Sequence, residues 1–428
     1  MLNNKDLPFF SVIIPQKNRS EYLIHTLKTC MIQDYPNFEV IVSDDCSDDN
    51  SIEVATELSQ KDPRIKVYAH KQHLGMRDNF EFALNQVKPG YVMALGGDDG
   101  LTPGCIWRMY EIIKETGKQL LTWTPAVYSY PIANEKSRFA VRRNHAPVRI
   151  IKSSDFFKKL TDSFFYLVNE CPMFYIKGVV STELVERVKA RTKDHSFYYC
   201  PTPDGYSGVV LAGEAGEYAF TYEPLSITGS TTKSQGLNYH RTDKASRKEA
   251  EQFFNDNIRR TMHSQLASQP YSPLVTLMTA DYLLTAKDLP GWPGEVPEIS
   301  FEHLLRKTFE FISNSSFANE TLVRELRILR EIAIQHNLLD LFTELHKKTK
   351  KKVGKNRSVS GFAITNFVRF SGDDVKLNNI YDASLATTFI YNFFGKFKMK
   401  QLFIMLVNTG KIVLSRYGHF EEKDLPKI

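Results

Sequence analysis

Residues 10–45 of the chain read FSVIIPQKNRSEYLIHTLKTCMIQDYPNFEVIVSDD and contain the pattern of a strand, a helix and a second strand. The runs Phe10–Pro15 and Phe38–Ser43 are nearly continuous apolar stretches, as in parallel strands that are covered on both faces. Between them, Glu21–Gln33 carries apolar residues at helical spacing. A helix between two such strands predicts a parallel pair joined by a right-handed crossover.

The same alternation continues to about residue 100. Ile65–Ala69 and Tyr91–Leu95 are the next predicted strands, and Ser51–Gln60 and Asn79–Val87 are the next predicted helices. After about residue 239 the pattern becomes helical, with predicted helices at Lys244–Ser268, Pro270–Ala286, Phe301–Ser313 and Asn319–Lys347. We therefore expect an α/β protein with a mainly parallel sheet flanked by helices and a mostly α-helical C-terminal region.

The composition limits the classes of function. The chain has 428 residues and a net charge of +6, which is too small for this length to indicate a nucleic-acid partner. Its five cysteines are widely spaced and form no CxxC pair, which favours reduced thiols over a disulfide framework or a zinc site. The first residues lack a secretion pattern, and no window reaches the roughly 18 apolar residues of a membrane-spanning helix. These features predict a cytoplasmic protein.

Polar residues follow three of the predicted strands directly. They are Lys17 and Asn18 after the first strand, Asp44 and Asp45 after the second, and Asp98 and Asp99 after the fourth. Ligands of open α/β sheets bind beyond the carboxyl ends of the strands. Adjacent carboxylates repel each other unless a cation compensates, and hard oxygen ligands suit Mn²⁺ or Mg²⁺. The sequence therefore predicts a ligand site at this edge, with a solvated Asp-Asp-Gly turn as the alternative for residues 98–100.

Together these segments resemble the family 2 glycosyltransferases, which are inverting enzymes of the GT-A fold. The resemblance rests on SVIIPQKNR at 11–19, QDYPNFEVIVSDDCSDDNS at 33–51, LGMRDN at 74–79 and GGDDGLTPG at 96–104. Order and spacing agree over about the first 105 residues, and a weaker match continues to about residue 236. The resemblance implies transfer of a sugar from a nucleotide-diphosphate sugar, by default a UDP-sugar, to a hydroxyl group of a glycan or lipid-linked acceptor in surface polysaccharide synthesis.

The resemblance also implies roles for single residues of the donor site. Asp44 would contact the base, Asp98 would lie near the ribose and diphosphate, and Asp99 would hold the Mn²⁺ or Mg²⁺ that bridges the diphosphate. The donor-binding residues that it implies are Pro15, Lys17, Asn18, Asp44, Asp45, Arg77, Asn79 and Asp98. Two positions depart from the family pattern: Gly97 stands where a third acid is often found, and Lys17 stands where an aromatic residue is common.

An inverting transfer needs a carboxylate that takes the proton of the acceptor hydroxyl. Asp204 lies in a Pro- and Gly-containing stretch before an apolar helix that is similar to the acidic motif of the family, which makes it the candidate base. Capping of that helix is the alternative role for Asp204. Glu214, Glu217 and Asp194 are the alternative bases.

The predicted organisation is a GT-A domain over residues 1–238 and a helical domain over residues 239–428. Within the first domain, residues 1–105 would bind the nucleotide sugar and residues 106–238 the acceptor. The Gly-, Ser- and Lys-rich segment 223–236 resembles a loop that folds over the diphosphate, and a plain linker is its alternative.

Basic residues are concentrated in two C-terminal stretches. The first contains Lys347, Lys348, Lys350, Lys351, Lys352, Lys355 and Arg357, and the second has Lys396, Lys398 and Lys400 among Phe393, Phe394, Phe397, Leu402, Phe403 and Leu406. Basic amphipathic stretches suit peripheral contact with an anionic surface, here the inner face of the cytoplasmic membrane. A solvated charged face next to an ordinary core helix is the alternative.

Two other functions stay open at this point. A non-catalytic scaffold of the same fold that binds a nucleotide or glycan has Gly97 as its only support in the sequence. A sugar nucleotidyltransferase would need a Gly-rich basic loop after the first strand, where this chain has Pro15-Gln-Lys-Asn-Arg19.

Overall fold

The computed structural model of this chain describes residues 7–132, 135–142, 145–199, 202–234, 248, 261–268, 271–315, 317–349, 363–364 and 367–395. In these residues an eight-stranded sheet and a six-stranded sheet are surrounded by helices. The α/β fold class predicted from the sequence is therefore confirmed.

The larger sheet has the strand order β3-β2-β1-β4-β10-β6-β11-β9. Its strands are β1 Phe10–Gln16, β2 Phe38–Asp44, β3 Ile65–Ala69, β4 Tyr91–Ala94, β6 Leu120–Trp123, β9 Arg149–Lys152, β10 Gly178–Ser181 and β11 Glu217–Thr221. Four of the seven neighbouring pairs in this described sheet are parallel, among them β1 with β2 and β1 with β4. Because the strand order reverses its direction at β1, the crevice beyond the ends of β1 and β4 is the position where such sheets bind ligands.

The smaller sheet has the order β13-β14-β8-β7-β12-β5. Its strands are β5 Gly100–Leu101, β7 Ala126–Ser129, β8 Arg138–Arg142, β12 Ser226–Ser230, β13 Ala363–Ile364 and β14 Phe367–Ser371. Since β5 begins immediately after the turn that ends β4, the two sheets meet at that turn. The strand β14 comes from the C-terminal region and pairs antiparallel with β8, a contact that the sequence pattern did not predict.

Helices cover both faces of the larger sheet, while others pack on these helices or on the smaller sheet. The helices are α1 Ser20–Met31, α2 Ser51–Lys61, α3 Met76–Leu84, α4 Cys105–Thr116, α5 Ser153–Ser163, α6 Thr182–Lys189, α7 Pro203–Ala215, α8 Val275–Lys287, α9 Phe301–Asn314, α10 Asn319–Gln335, α11 Leu339–Lys348 and α12 Ile380–Gly395. Val12 and Ile14 of β1 pack with α1, α2 and α4, whereas Ile13 faces the core cluster that contains α3 and α7. This two-sided burial explains the continuous apolar runs of the strands. None of the described helices is long and apolar enough to span a lipid bilayer.

The C-terminal region shares its core with the first part of the chain. Residues 275–286 of α8 are all buried, and α8 packs against α7. Leu277 belongs to the same apolar cluster as Ile13 of β1 and Val209 of α7. Further along, α12 packs on α1, and Ser384 Oγ donates a hydrogen bond to the Leu101 carbonyl at 2.6 Å. The predicted boundary at residues 238 and 239 lies outside the described residues, so the division into two domains stays a prediction.

The predicted single helix Asn319–Lys347 is wrong, because the chain forms two helices there. Asn337 has a positive φ of 58° and ends α10. The Leu338 N–H donates to the Ala333 carbonyl at 2.7 Å and the Asn337 N–H to the Ile334 carbonyl at 3.2 Å, which is the hydrogen-bond pattern of a Schellman cap. Asparagine tolerates the left-handed conformation, so Asn337 was the signal for this break. The predicted helix Lys244–Ser268 lies largely outside the described residues.

Replacing Leu277 by alanine tests the shared core. The fully buried Leu277 would leave a cavity between α8 and α7, so we expect a loss of about 2–5 kcal/mol in the free energy of unfolding. The matched control is Val323→Ala in α10, where the side chain is exposed and the change should stay within about 0.5 kcal/mol. Chemical denaturation of both variants measures this. An unchanged midpoint for Leu277→Ala would mean that α8 does not pack in the core of the sheet.

Candidate active site

The carboxyl ends of β1, β2 and β4 lie side by side and carry the candidate site. Gln16 at the end of β1 pairs with Asp44 at the end of β2, and Ile13 of β1 pairs with Ala94 at the end of β4. The loops that follow these three strands therefore leave the sheet at one edge, as the sequence predicts.

Asp44 is fully buried, and both of its carboxylate oxygens accept hydrogen bonds. Oδ1 accepts from the Ser47 hydroxyl at 2.6 Å and from Gln16 Nε2, and Oδ2 accepts from the Ser47 N–H at 2.9 Å. Pro15 lies beside them in β1, opposite Ser43. By contrast, Gln16 Oε1 is buried and has no donor among the described residues. A buried acceptor without a donor costs about 1–3 kcal/mol, so Gln16 marks a place for a ligand N–H or O–H group.

Asp45 organises the loop between β3 and α3. Its carboxylate accepts hydrogen bonds from the N–H groups of Leu74 at 2.6 Å and Gly75 at 3.1 Å. His73 Nδ1 lies 2.8 Å from the same carboxylate, and Lys17 Nζ lies 3.2 Å from that nitrogen. Lys17 and Asp45 therefore meet through His73, to which the sequence analysis assigned no role because chain spacing alone does not bring it to β2.

Asn18 connects the loop after β1 to two other loops. It has a positive φ of 54°, its N–H donates to Ser47 Oγ at 2.8 Å, and its Oδ1 accepts from the Asp48 N–H at 2.9 Å. The Asn18 carbonyl accepts a hydrogen bond from Lys233 Nζ at 2.5 Å, and the Arg19 guanidinium donates to the Lys233 carbonyl at 2.8 Å. The backbone of Asn18 is thus fixed between β2 and the segment after β12.

Asp99 is the most constrained acid of the site and is only 1% exposed. Its Oδ2 accepts from the Gly96 N–H at 2.7 Å and its Oδ1 from the Gly229 N–H at 2.8 Å, and the Tyr175 hydroxyl donates to the same carboxylate. Burial, followed by the negative charge of Asp98, raises the pKa of Asp99 to about 7. The three donors lower this pKa but do not cancel the effect of burial.

Asp98 is 5% exposed and faces the strand β12. Its Oδ2 accepts a hydrogen bond from Thr231 Oγ1 at 3.0 Å. A Cβ atom added at Gly229 would collide with the Asp98 carbonyl oxygen, so only glycine permits this approach of β12 to the turn. Gly229 and Thr231 therefore contact the acidic turn. The sequence resemblance predicted a role for the whole segment 223–236 but not for these two residues.

The segment from Gly229 to Ser234 lies over the loops that carry the acids. Besides the contacts of Gly229, Thr231 and Lys233, the Thr231 N–H donates to Ser234 Oγ at 3.0 Å. These bonds exclude a plain linker for residues 229–234, while residues 235 and 236 lie outside the described part of the chain. The predicted closing movement of this loop stays a prediction.

Asp98 and Asp99 fit a divalent cation by their chemistry. A Cβ added at Gly96 would lie 2.8 Å from Asp99 Oδ2 and 3.0 Å from Asp98 Oδ1, so one oxygen of each carboxylate lies close to Gly96 and to the other. The described residues contain no group of three or more His, Cys, Asp or Glu side chains that could hold a metal. Mn²⁺ and Mg²⁺ commonly take one or two protein carboxylates and complete their shell with phosphate oxygens and water. The donor set present here matches that pattern.

Asp204 lies in the first turn of α7 and is partly exposed. Burial of its carboxyl group raises its pKa above the ordinary value, as a proton acceptor near neutral pH requires. The N-cap of α7 is Thr202, whose hydroxyl oxygen lies 2.7 Å from the Tyr282 hydroxyl oxygen, so the capping role proposed for Asp204 is not observed. The negative charge of Asp204 is also one of the charges that raise the pKa of Tyr175. The role of Asp204 as the base stays a prediction.

The alternative bases have other partners. Glu214 at the far end of α7 is paired with Arg187 at 3.2 Å and with Arg191 at 2.7 Å. Glu217 is paired with Lys118 at 2.8 Å, and Asp194 accepts a hydrogen bond from Ser196 Oγ at 2.7 Å. Glu214 and Asp204 lie near opposite ends of α7, and the helical rise between them is about 15 Å.

Arg77 and Asn79 belong to α3, and their side chains form hydrogen bonds with residues other than Asp98 and Asp99. The Arg77 guanidinium donates to the Tyr198 carbonyl at 2.5 Å and to Ser196 Oγ at 2.7 Å. Asn79 is buried, and its amide exchanges hydrogen bonds with the hydroxyl and the carbonyl of Ser43 at the end of β2. The structure therefore does not bring these two side chains to Asp98 and Asp99, and their donor-binding role stays a prediction.

A surface cavity of about 480 Å³ lies beside the C-terminal end of α6. Its lining includes Arg187, Arg191 and Lys193. Both arginines form salt bridges with Glu214, and Arg191 also donates a hydrogen bond to the Gly291 carbonyl at 2.5 Å. The cavity is therefore a gap beside a structural ion pair and does not belong to the candidate site.

Comparison with known proteins points to one family. Residues 11–173 match the family described as glycosyl transferase family 2. The chain is 35% identical over 101 residues to the GalNAc(5)-diNAcBac-PP-undecaprenol beta-1,3-glucosyltransferase of Campylobacter jejuni, a match of 23% of this chain and 33% of that protein. It is 28% identical over 105 residues to the glycosyltransferase GlyG of Streptococcus pneumoniae, covering 24% of this chain and 35% of GlyG. The matches thus span about a third of the length of these relatives.

Solved structures are similar at low sequence identity. TarS 1-349 of S. aureus in complex with UDP aligns with a TM-score of 0.43 and 14% identity over 83% of this chain and 94% of that one. The mannosyltransferase PcManGT of Pyrobaculum calidifontis, in complex with GDP-Man and Mn²⁺, aligns with a TM-score of 0.40 and 15% identity over 81% and 87%.

Replacing Gly229 by alanine tests the contact between β12 and the acidic turn. The added methyl group meets backbone atoms of Asp98 that cannot rotate away, so we expect a loss of about 2–3 kcal/mol in the free energy of unfolding. The neighbouring control Ser230→Ala removes a partly exposed hydroxyl and should change it by less than about 0.5 kcal/mol. Denaturant titration of both variants decides the matter; equal stabilities would show that β12 does not lie against the turn.

Proposed function

This chain belongs to glycosyl transferase family 2 through residues 11–173, and we therefore propose that it transfers a sugar from a nucleotide-diphosphate sugar to a hydroxyl group of a glycan or lipid-linked acceptor. The observation that carries the proposal is the pair of buried acids at the carboxyl edge of the larger sheet. Asp98 and Asp99 are 5% and 1% exposed and lie in the turn after β4, beside the ends of β1 and β2. Synthesis of a surface polysaccharide is the proposed setting.

The proposed donor site extends from β2 to the turn after β4. Asp44 lies nearest the base, Asp98 faces the ribose and diphosphate, and Asp99 holds Mn²⁺ or Mg²⁺. A bound divalent cation would neutralise the negative charge that develops on the leaving diphosphate. Burial, followed by the negative charge of Asp98, raises the pKa of Asp99 to about 7, and a bound cation would favour its charged form. By the family resemblance we propose UDP as the nucleotide.

The proposed base is Asp204, which removes the proton of the acceptor hydroxyl as its oxygen attacks the anomeric carbon. Attack opposite the leaving diphosphate inverts the configuration of that carbon. The raised pKa of Asp204, caused by burial, suits this role because a more basic carboxylate accepts the proton more readily. Tyr271 and Tyr282 hold Thr202 at the start of α7 and thereby fix the position of Asp204.

The packing around Gly97 bears on the non-catalytic alternative. A Cβ atom at this position would lie 3.1 Å from Arg19 Cβ and 3.3 Å from Gln16 Cβ, which leaves little room for a third acid. Steric crowding therefore accounts for Gly97, which then gives no separate support to the non-catalytic alternative. The catalytic proposal needs no acid there, because Asp98 and Asp99 already provide two carboxylates.

Binding and hydrolysis of a panel of UDP-, dTDP- and GDP-sugars, with and without Mn²⁺, test this proposal. We expect one donor to bind in a metal-dependent manner in the wild type and in Asp204→Asn, but not in Asp99→Ala. Loss of the base should lower kcat by roughly 10²- to 10⁴-fold while donor affinity is kept. Nuclear magnetic resonance of the product reports whether the anomeric configuration is inverted.

Three results would contradict the proposal. If no nucleotide sugar binds with or without metal, the acids do not form a donor site. If Asp204→Asn turns over as fast as the wild type, another group is the base. Tight donor binding without any transfer in the wild type would favour the scaffold alternative.

We also propose that α12 and the residues after it contact an anionic membrane surface. Leu385 and Phe389 are 46% and 68% exposed and lie one helical turn apart, and the Phe393 ring stacks on that of Phe389 at 5.8 Å. Exposed apolar residues on one helical face are typical of an interaction surface. In the sequence, Lys396, Lys398 and Lys400 follow directly, and these residues lie outside the described part of the chain.

Sedimentation with vesicles that contain anionic lipid tests the membrane proposal. We expect the wild type to bind these vesicles but not neutral ones, and Phe389→Asp to bind at least several-fold more weakly, because the charge opposes burial in the headgroup region. Val323→Asp places the same charge on the exposed face of α10 and should leave binding unchanged. Equal vesicle binding of the wild type and both variants would show that α12 does not contact the membrane.

A further inference from the structure

Tyr175 is held at the end of β4 by its neighbours in the chain. The Ile176 N–H donates to the Ala94 carbonyl at 2.7 Å, and the Ala94 N–H donates to the Phe174 carbonyl at 3.2 Å. Ala94 is the last residue of β4 and lies directly before the turn with the two acids. The backbone of Tyr175 is therefore fixed relative to Asp98 and Asp99.

The hydroxyl group of Tyr175 enters the turn above Gly96. A Cβ atom at Gly96 would collide with this oxygen, so the turn accepts the tyrosine only because residue 96 is glycine. The hydroxyl donates a hydrogen bond to the Asp99 carboxylate. The Phe80 ring lies 6.0 Å from the Tyr175 ring at an angle of 61° and supports it from α3.

The Tyr175 proton stays on the phenol. A phenol is protonated near neutral pH, so the hydroxyl group has a proton to donate to Asp99. Among the described residues it is the only side-chain donor to Asp99, since Gly96 and Gly229 contribute backbone N–H groups.

We propose that Tyr175 is a positioning residue of the donor site, whose hydroxyl group orients the Asp99 carboxylate for the metal-bound diphosphate. This inference rests on the proposed function. Without the hydroxyl, the carboxylate loses one charged hydrogen bond and can turn away from the diphosphate. The ring would stay in place, because its contact with the Phe80 ring does not depend on the hydroxyl group.

Tyr175→Phe tests the inference, with UDP and Mn²⁺ as the probes. A hydrogen bond to a charged group contributes enough to binding that we expect UDP affinity in the presence of Mn²⁺ to fall by roughly 10- to 100-fold in calorimetric titration. The melting temperature should stay close to that of the wild type. In donor hydrolysis, KM for the donor should rise more than kcat falls, which a general loss of structure would not produce.

Tyr198→Phe is the matched control. Its ring also packs against Phe80, at 5.6 Å, but its hydroxyl group is buried without a hydrogen-bond partner among the described residues. Its removal should leave UDP binding unchanged.

The outcomes separate this inference from the proposed function. Wild-type affinity in Tyr175→Phe, or an equal loss in Tyr198→Phe, would overturn the role of Tyr175 and leave the donor site intact. Failure of the wild type itself to bind UDP with Mn²⁺ would overturn the UDP site and this inference with it.

Discussion

The hydrogen bond from the Gly229 N–H to the Asp99 carboxylate joins the two sheets of this protein. Asp99 lies in the turn between β4 of the larger sheet and β5 of the smaller one, and Gly229 lies in β12 of the smaller sheet. The same carboxylate also binds the Gly96 N–H and the Tyr175 hydroxyl. One buried acid therefore determines how the acidic turn, β12 and the segment before β10 are placed relative to one another.

This arrangement leaves the site with an excess of negative charge. Asp98 and Asp99 are adjacent and almost fully buried, and burial together with their repulsion raises the pKa of Asp99 to about 7. The basic side chains of Arg19 and Lys233 donate to backbone carbonyls and not to these carboxylates. A divalent cation bound with a diphosphate would supply the missing charge, which links the fold to the proposed glycosyl transfer.

Much of the larger sheet and its acids could be predicted from the sequence, because continuous apolar strands, helical periodicity and acidic turns are local signals. Asp98, Asp99 and Asp44 lie at the strand ends where the pattern placed them. The contributions of Tyr175, Gln16, His73 and Gly229 could not be predicted, because they depend on contacts between residues far apart in the chain. The pairing of β14 with β8 could not be predicted for the same reason. Arg77 was predicted to bind the donor because it lies in a family motif, but its observed hydrogen bonds are with residues 196 and 198.

The central claim is that the edge formed by β1, β2, β4 and β12 binds a nucleotide diphosphate through a metal at Asp98 and Asp99. Anomalous diffraction from crystals soaked with UDP and Mn²⁺ tests it most directly. The account predicts an anomalous peak in contact with the carboxylate of Asp99, with the diphosphate beside it and the base towards Asp44. A nucleotide bound elsewhere, or bound at this edge without manganese at either acid, would contradict it.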